Sequence, residues 1–192
     1  MTEAARTRRI AEGDFYCAEG VAKFNEGDIS GARASFFKAL AIDEELRLLA
    51  RQSETVFSLC QISLYLEDLE TLQRMTNRAK ALYQEASHLP PSSHEKAGAY
   101  FHLGQCFDLA NELQLAEDVL RQSSELNVVV GNSINVAASW MHLGHVYDQQ
   151  GKYELAERAY LKAHEINLAL GRLDVAENNM LMAKASRARR LS

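Results

Sequence analysis

Apolar residues recur along most of the chain at intervals of three and four residues, the spacing that places side chains on one face of an α-helix. Trp140, Leu143 and Tyr147 show this spacing most clearly. No alternating run of β-branched residues, the pattern typical of a half-buried strand, reaches five residues. The sequence therefore predicts helices at about 14–26, 30–45, 48–66, 69–88, 93–110, 113–130, 133–150, 153–171 and 174–188.

Two kinds of residue mark the breaks between these helices. Gly27 and Gly151 lie in short polar turns, where glycine can adopt the left-handed conformation that ends a helix. Pro90 disfavours a helical conformation at the residue before it and so predicts the end of the fourth helix. Ser92 and Glu95 have the spacing of a capping box, which predicts the start of the fifth helix.

The helical pattern is repeated with a long period. Its anchor is a small residue that follows a leucine or an acidic residue in the first helix of each pair: Gly20, Cys60, Gly104 and Gly144, spaced 40, 44 and 40 residues apart. A small anchor lets the second helix of the pair approach closely. The extra four residues fall near Pro90, where a loop insertion is expected.

The second repeat departs most from the pattern, because Cys60, Ser63 and Thr76 stand where other repeats have glycine and aromatic residues. Its turn, residues 67–69, is nevertheless in register with the turn at residues 27–29 of the first repeat. We therefore count it as a repeat.

Residues 140–163 carry the most specific motif: Trp140-x-x-Leu143-Gly144-x-x-Tyr147 and then Ala156-x-x-x-Tyr160-x-x-Ala163. This motif resembles the tetratricopeptide repeat family. The resemblance implies an all-α fold, a right-handed superhelical α-solenoid of helix–turn–helix hairpins with a C-terminal capping helix. The period of 40 is longer than the usual 34 and is similar to that of kinesin light chains and bacterial peptide-sensing regulators.

The repeat divides the 192-residue chain into three parts. Residues 1–12 form an N-terminal extension, which either lengthens the first helix or is loose. Residues 13–172 hold four tetratricopeptide-like units, at about 13–46, 53–88, 97–130 and 137–171. Residues 173–192 form a capping helix and a basic tail.

In the family, the first helix of each hairpin lines the concave side of the solenoid, where a partner binds. Carried onto this sequence, the resemblance implies a partner-binding groove with these residues: Phe57, Gln61, Tyr65, Phe101, Gln105, Asp108, Met141, His145, Asp148 and Gln149. The set has no Lys or Arg, so the family's carboxylate clamp is not matched. The apolar members would form a stripe, the glutamines could bind a peptide backbone, and the two aspartates would favour a basic flank on the partner. The alternative is that the stripe packs in the core.

The function implied by the resemblance is a non-enzymatic adaptor that binds a peptide or helix of another protein, apolar with a basic flank. A peptide-responsive regulatory sensor and a self-assembling structural scaffold remain as alternatives, and a homo-oligomer stays open. No Gly-rich phosphate loop, nucleophile elbow or HExxH motif occurs, so neither a catalytic activity nor a cofactor is expected.

Composition narrows the partners further. The net charge of −5 disfavours nucleic acid. The sequence shows no signal peptide and no run of about 18 apolar residues, and its three widely spaced cysteines suit a reducing cytoplasm. His102, His142 and His145 have no Cys or acid that completes a metal set by sequence, so no metal is expected.

Four basic residues crowd the C-terminus: Lys184, Arg187, Arg189 and Arg190. They are interpreted as favourable charge at a helix C-terminus rather than as a membrane contact.

Overall fold

The structure, a computed structural model, describes residues 1–191, and every regular element in that range is an α-helix. The helices are α1 (Glu3–Asn25), α2 (Ile29–Leu46), α3 (Leu49–Tyr65), α4 (Leu69–Ser87), α5 (His94–Leu109), α6 (Leu113–Val129), α7 (Ser133–Gln149), α8 (Tyr153–Ala169) and α9 (Leu173–Leu191). Consecutive helices pack against each other from one end of the chain to the other. The predicted α-solenoid of helical hairpins is confirmed. Ser192, the end of the predicted basic tail, lies outside the described residues.

Helix α1 is longer than predicted and includes most of the segment set apart as an N-terminal extension. Thr2 caps it by accepting a hydrogen bond from the backbone N–H of Ala5 at 3.3 Å. Farther along, Arg9 forms an ion pair with Glu45 of α2 at 2.8 Å. These contacts stabilise the first turns of α1 as helix. The N-terminal extension therefore lengthens the first helix and is not loose.

Close contact at the anchor residues joins the two helices of three hairpins. A Cβ added to Gly20 would approach Phe36 to 2.9 Å, one added to Gly104 would approach Leu120 to 2.7 Å, and one added to Gly144 would approach Tyr160 to 2.6 Å. In the second hairpin the larger Cys60 is fully buried, as is the smaller Thr76 at 2% exposure. In the second hairpin the larger anchor on the first helix is therefore accommodated by a smaller residue on the second helix.

Ion pairs link successive hairpins at related positions. Arg33 of α2 binds Asp68 at the start of α4 at 3.1 Å, and Glu117 of α6 binds Lys152 at the start of α8 at 2.9 Å. At the junction between the second and third hairpins, Lys80 of α4 binds Glu112 at 2.6 Å. Lys80 lies two turns farther along its helix than Arg33 and Glu117 lie along theirs. The stacking thus shifts in register at the junction that contains the inserted residues.

The same junction brings α5 against α3, and it corrects the predicted capping box. Ser93, not Ser92, caps α5 by accepting from the N–H of Lys96 at 3.3 Å. Glu95 instead accepts from the backbone N–H of Ala50 at 3.1 Å and so caps the start of α3, whose own N-cap residue is a leucine. Gly98 allows the close approach, because its Cβ would lie 3.3 Å from that of Ala50.

Helix α9 packs against the last hairpin. Its buried side chains are Ala176, Asn179, Ala183 and Ser186. Its exposed face carries Glu177, Lys184 and Arg187, and Leu181 lies among them at 57% exposure. Arg187 and Arg190 bind Glu157 of α8 at 3.7 and 3.4 Å.

Candidate partner-binding groove

The first helices of the hairpins, α1, α3, α5 and α7, form one side of the array, called here the A-helix face, and all ten predicted groove residues lie on the last three of them. Gln61, Tyr65, His145 and Gln149 are exposed. Phe57, Met141 and Asp148 are half-buried. Phe101, Gln105 and Asp108 are only 9%, 8% and 6% exposed. The accessible surface of this face is therefore uneven along its length.

The N-terminal part of the A-helix face is open and apolar. Helices α1 and α3 meet through side chains, with Arg51 bound to Asp14 and the rings of Phe24 and Tyr65 in edge-to-face contact at 6.3 Å. A cavity of 180 Å³ lies between the two helices, lined by Val21, Phe24, Phe36, Ser58, Gln61 and Ile62. At its edge Tyr65 is 68% exposed and Val21 is 52% exposed. This part of the face offers apolar surface to a partner.

The middle of the face is filled by aromatic rings. The ring of His102 lies 5.0 Å from that of Phe101 and 6.2 Å from that of Phe57, and Phe101 also contacts His142 at 6.3 Å. Burial lowers the pKa of His102 to about 4, so this imidazole is neutral at ordinary pH. The predicted stripe of Phe57, Phe101 and Met141 is therefore interrupted at Phe101, because α5 packs closely between its neighbours.

A buried carboxylate dominates the part of the face formed by α5 and α7. Asp108 accepts hydrogen bonds from Nδ1 of His145 at 2.9 Å and from the amide of Gln149 at 2.7 Å, and Nδ1 of His142 is 3.7 Å away. Burial alone would raise the pKa of Asp108, but the hydrogen bonds from His142 and His145 outweigh burial and lower it. The bond to Asp108 in turn raises the pKa of His145. Asp108 is therefore ionised and held by internal donors.

Asp148 is also occupied from within the chain. One of its carboxylate oxygens accepts from the hydroxyl of Ser186 at 2.9 Å and from that of Tyr160 at 3.3 Å, and lies 3.4 Å from the guanidinium of Arg189. Burial, followed by the charge of Asp148, raises the pKa of Tyr160 and keeps its hydroxyl protonated. Both aspartates therefore accept from donors within the chain, although Oδ1 of Asp148 is buried without a hydrogen-bond partner.

One segment of the chain matches a family model. Residues 137–167, which hold most of α7 and of α8, match the model described as the tetratricopeptide repeat. This segment contains the close contact between Gly144 and Tyr160, which has counterparts at Gly20 and Gly104 in two other hairpins. The array of helical hairpins is therefore of the tetratricopeptide repeat type. No curated protein matches the sequence.

Solved structures share the tetratricopeptide-type array at low sequence identity. The apo form of RapI is 17% identical with a TM-score of 0.62, and the match covers 92% of this chain and 64% of RapI. A Rap protein complexed with competence and sporulation factor is 16% identical with a TM-score of 0.60, covering 93% of this chain and 54% of that protein. A putative kinesin light chain from Podospora anserina is 12% identical with a TM-score of 0.61, covering 96% and 97%. These likenesses show the fold, and the chain spans less than two thirds of either Rap protein.

The resemblance also carries the family's groove positions onto Val21 and Phe24 of the first repeat, and both line the open cavity. Arg189 of α9 lies outside the predicted positions. It follows Gln149 by 40 residues, the repeat period, and so continues the same line of positions into α9. The period could have located it. The bond between Ser186 and Asp148 has no comparable signal in the sequence.

Groups with catalytic or metal-binding potential are sparse. Across residues 1–191, no three His, Cys, Asp or Glu side chains are arranged to hold a metal ion. Cys60 and Cys106 are buried, and burial raises the pKa values of Cys17 and Cys106, which disfavours the reactive thiolate. No helix in the described part of the chain is long and apolar enough to cross a membrane.

Proposed function

We propose that this protein is a non-enzymatic adaptor that binds an apolar peptide or helix of a partner protein on its A-helix face. The tetratricopeptide-type array is a scaffold for protein interaction in general. The observation that carries the finer proposal is the open cavity between α1 and α3, with Val21, Phe24 and Tyr65 exposed around it. Exposed apolar side chains around a concavity are typical of a site for an anchor residue.

The basic flank expected of the partner belongs at this same end. Asp108 and Asp148 already have internal donors, so a basic residue there would have to displace them. Two helical turns before the cavity along α1 and α3, by contrast, the charges of Asp14 and Glu54 both act on Asp43, and the guanidinium of Arg51 binds only two of these three carboxylates. The excess negative charge favours a lysine or arginine of the partner close to α3.

The test is to select binders from a library of displayed helical and linear peptides and to measure their affinities for variants. Val21→Asp and Tyr65→Ala should each weaken binding by roughly tenfold or more, since both remove exposed apolar surface at the edge of the cavity. Leu155→Ala, at an exposed residue of α8 that is distant in sequence from this site, is the matched control. Unchanged affinity in both site variants, with folding intact by circular dichroism, would count against the proposal.

A regulatory sensor is the second candidate, and the same junction favours it. Helix α2 of the first hairpin packs on α3, but α1 meets α3 only through a few side chains around a cavity, so a bound residue that fills the cavity would fix the orientation of α1 relative to α3. Small-angle scattering of the free and peptide-bound protein separates the two functions. A change in the radius of gyration supports the sensor, and an unchanged radius supports the adaptor.

A further inference from the structure

The turns at one edge of the array expose large aliphatic side chains. These lie in or beside the α6–α7 and α8–α9 turns and are 41% to 65% exposed: Val128, Val129, Ile134, Leu168, Leu170 and Leu173. Within residues 1–191, the corresponding α2–α3 and α4–α5 turns expose no hydrophobic side chain of this size. We call these six residues the apolar edge. Contiguous apolar surface of this kind marks an interaction site in a soluble protein.

A cleft joins the two turns. It has a volume of 600 Å³ and is lined by apolar atoms of α6, α7 and α8, among them Val128, Val136, Trp140 and Ile166. Ile166 and Leu170 are four residues apart and so share one face of α8 and the turn that follows it. The apolar edge therefore combines two protruding turns with a hollow between them, a shape that can interdigitate with a copy of itself.

The charges around the cleft are balanced and unpaired. Glu125 lines the cleft from α6 and Lys162 lines it from α8, and in the described part of the chain neither has an ion-pair partner. Arg172 and Asp174 flank Leu173 with the same pairing of signs. The whole chain carries a net charge of −5, so two copies repel each other in general, but the two charges that line the cleft are of opposite sign.

We propose that the apolar edge is the interface of a two-fold symmetric homodimer. In a two-fold contact the same patch faces itself, so Lys162 of each protomer pairs with Glu125 of the other, giving two equivalent ion pairs. The exposed aliphatic side chains of both protomers are buried in the same contact. The arrangement gives the two unpaired charges partners of opposite sign. An anionic membrane is disfavoured as the occupant, because the edge has no excess of basic residues. The interface is separate from the peptide site on the A-helix face.

The experiment measures the mass of the full chain by light scattering and sedimentation velocity over about a hundredfold range of concentration. The mass should rise from the protomer value of 21.5 kDa towards twice that value and go no further. Val128→Asp and Leu173→Asp place a charge on the apolar edge at exposed positions and should raise the dimer dissociation constant by at least roughly tenfold. Leu155→Asp, at the other end of α8, is the control and should leave it unchanged.

A charge exchange tests the pairing itself. Glu125→Lys and Lys162→Glu should each weaken the dimer, because each places like charges opposite one another, and the double variant should restore it. The proposal is overturned if the protein stays at the protomer mass at all concentrations, if mass grows beyond a dimer, or if the Val128 and Leu173 variants dimerise as the wild type does. Binding to neutral or anionic vesicles by the wild type, lost in Val128→Asp while the mass stays that of a protomer, would identify a membrane as the occupant and also overturn it.

Discussion

Left-handed backbone conformation occurs at one residue in most turns of the array, and the residue type there varies. Gly27 and Gly151 have φ of 85° and 72°, whereas Glu67 and Asn111 hold the same place in their turns with φ of 55° and 59°. The register of Glu67 with Gly27 was predicted from the sequence, and the conformation confirms it. A residue with a Cβ is strained in this region by about 1 kcal/mol. At Glu67 the left-handed backbone conformation therefore lowers the free energy of unfolding.

Replacing that residue should stabilise the protein. Glu67→Gly is expected to raise the free energy of unfolding by about 0.5–1 kcal/mol, because relief of the left-handed strain exceeds the added entropy of the unfolded chain. Urea denaturation monitored by circular dichroism measures the change. Glu70→Gly, in the first turn of α4, is the matched control and should lower stability by up to about 1 kcal/mol. Equal destabilisation by both substitutions would contradict the argument.

Groove residues were only partly predictable, for a physical reason at the level of single side chains. The period correctly places Tyr65, Gln61 and His145 on an exposed surface, since surface position follows helical phase. It cannot show that Asp108 is held by His145 and Gln149, because those bonds depend on how closely α5 and α7 approach. The proposed partner site consequently moves towards α1 and α3, where the helices stand apart.

At the scale of whole helices, the pattern of apolar residues predicted α2 to α9 closely, and the differences occur where distant residues stabilise a helix end. Helix α1 begins earlier because Arg9 reaches Glu45. The start of α3 depends on Glu95, which belongs to the next hairpin. A capping box is a local pattern, and Glu95 satisfies it in sequence while serving another helix in space. Contacts of this kind have no signature in a local window.

Glu95 should accordingly matter more than an exposed glutamate. Glu95→Ala leaves the N–H of Ala50 without its acceptor and so removes the hydrogen bond that joins α5 to the start of α3. We expect a loss of about 1–2 kcal/mol in the free energy of unfolding. Hydrogen exchange at the amide of Ala50 should also become faster. Glu165→Ala, at an exposed position on α8, should change neither quantity appreciably. If Glu95→Ala behaves like that control, the bond across the junction does not stabilise the array.

The array as a whole presents surfaces of different character: an A-helix face that is apolar near α1 and occupied by internal polar contacts near α7, and an apolar edge at the α6–α7 and α8–α9 turns. The period was enough to predict the repeat architecture, because each hairpin buries its apolar face only against its neighbours. The handedness of the superhelix stays a prediction. The uneven surface arises from the register shift at the inserted residues, which brings α5 close to α3 and buries Phe101.

Three ionisable groups on the A-helix face make the stability of the protein depend on pH. His102 is neutral in the folded protein down to its lowered pKa of about 4, whereas the unfolded chain binds a proton there below 6.5. Asp108, with a lowered pKa, contributes stability above 3.8 that is lost as the pH falls through its folded value. His145, with a raised pKa, contributes stability below 6.5 that is lost as the pH rises through its folded value. Stability should therefore be greatest near pH 6.5 and fall on both sides.

The contribution of His102 to the acid side of this profile can be tested separately. Between pH 6.5 and about 4 the unfolded state holds more protons than the folded state at His102, so stability falls by up to about 3 kcal/mol across that window. His102→Gln should be less stable than the wild type at pH 7, because the aromatic contacts with Phe57 and Phe101 are lost, yet its stability should vary much less between pH 6.5 and 4. Urea midpoints at half-unit pH steps measure this, with His88→Gln, at an exposed residue, as the control that keeps the wild-type slope. If His102→Gln keeps the full wild-type slope, His102 is not the group that titrates, and burial at the centre of the A-helix face does not govern acid stability.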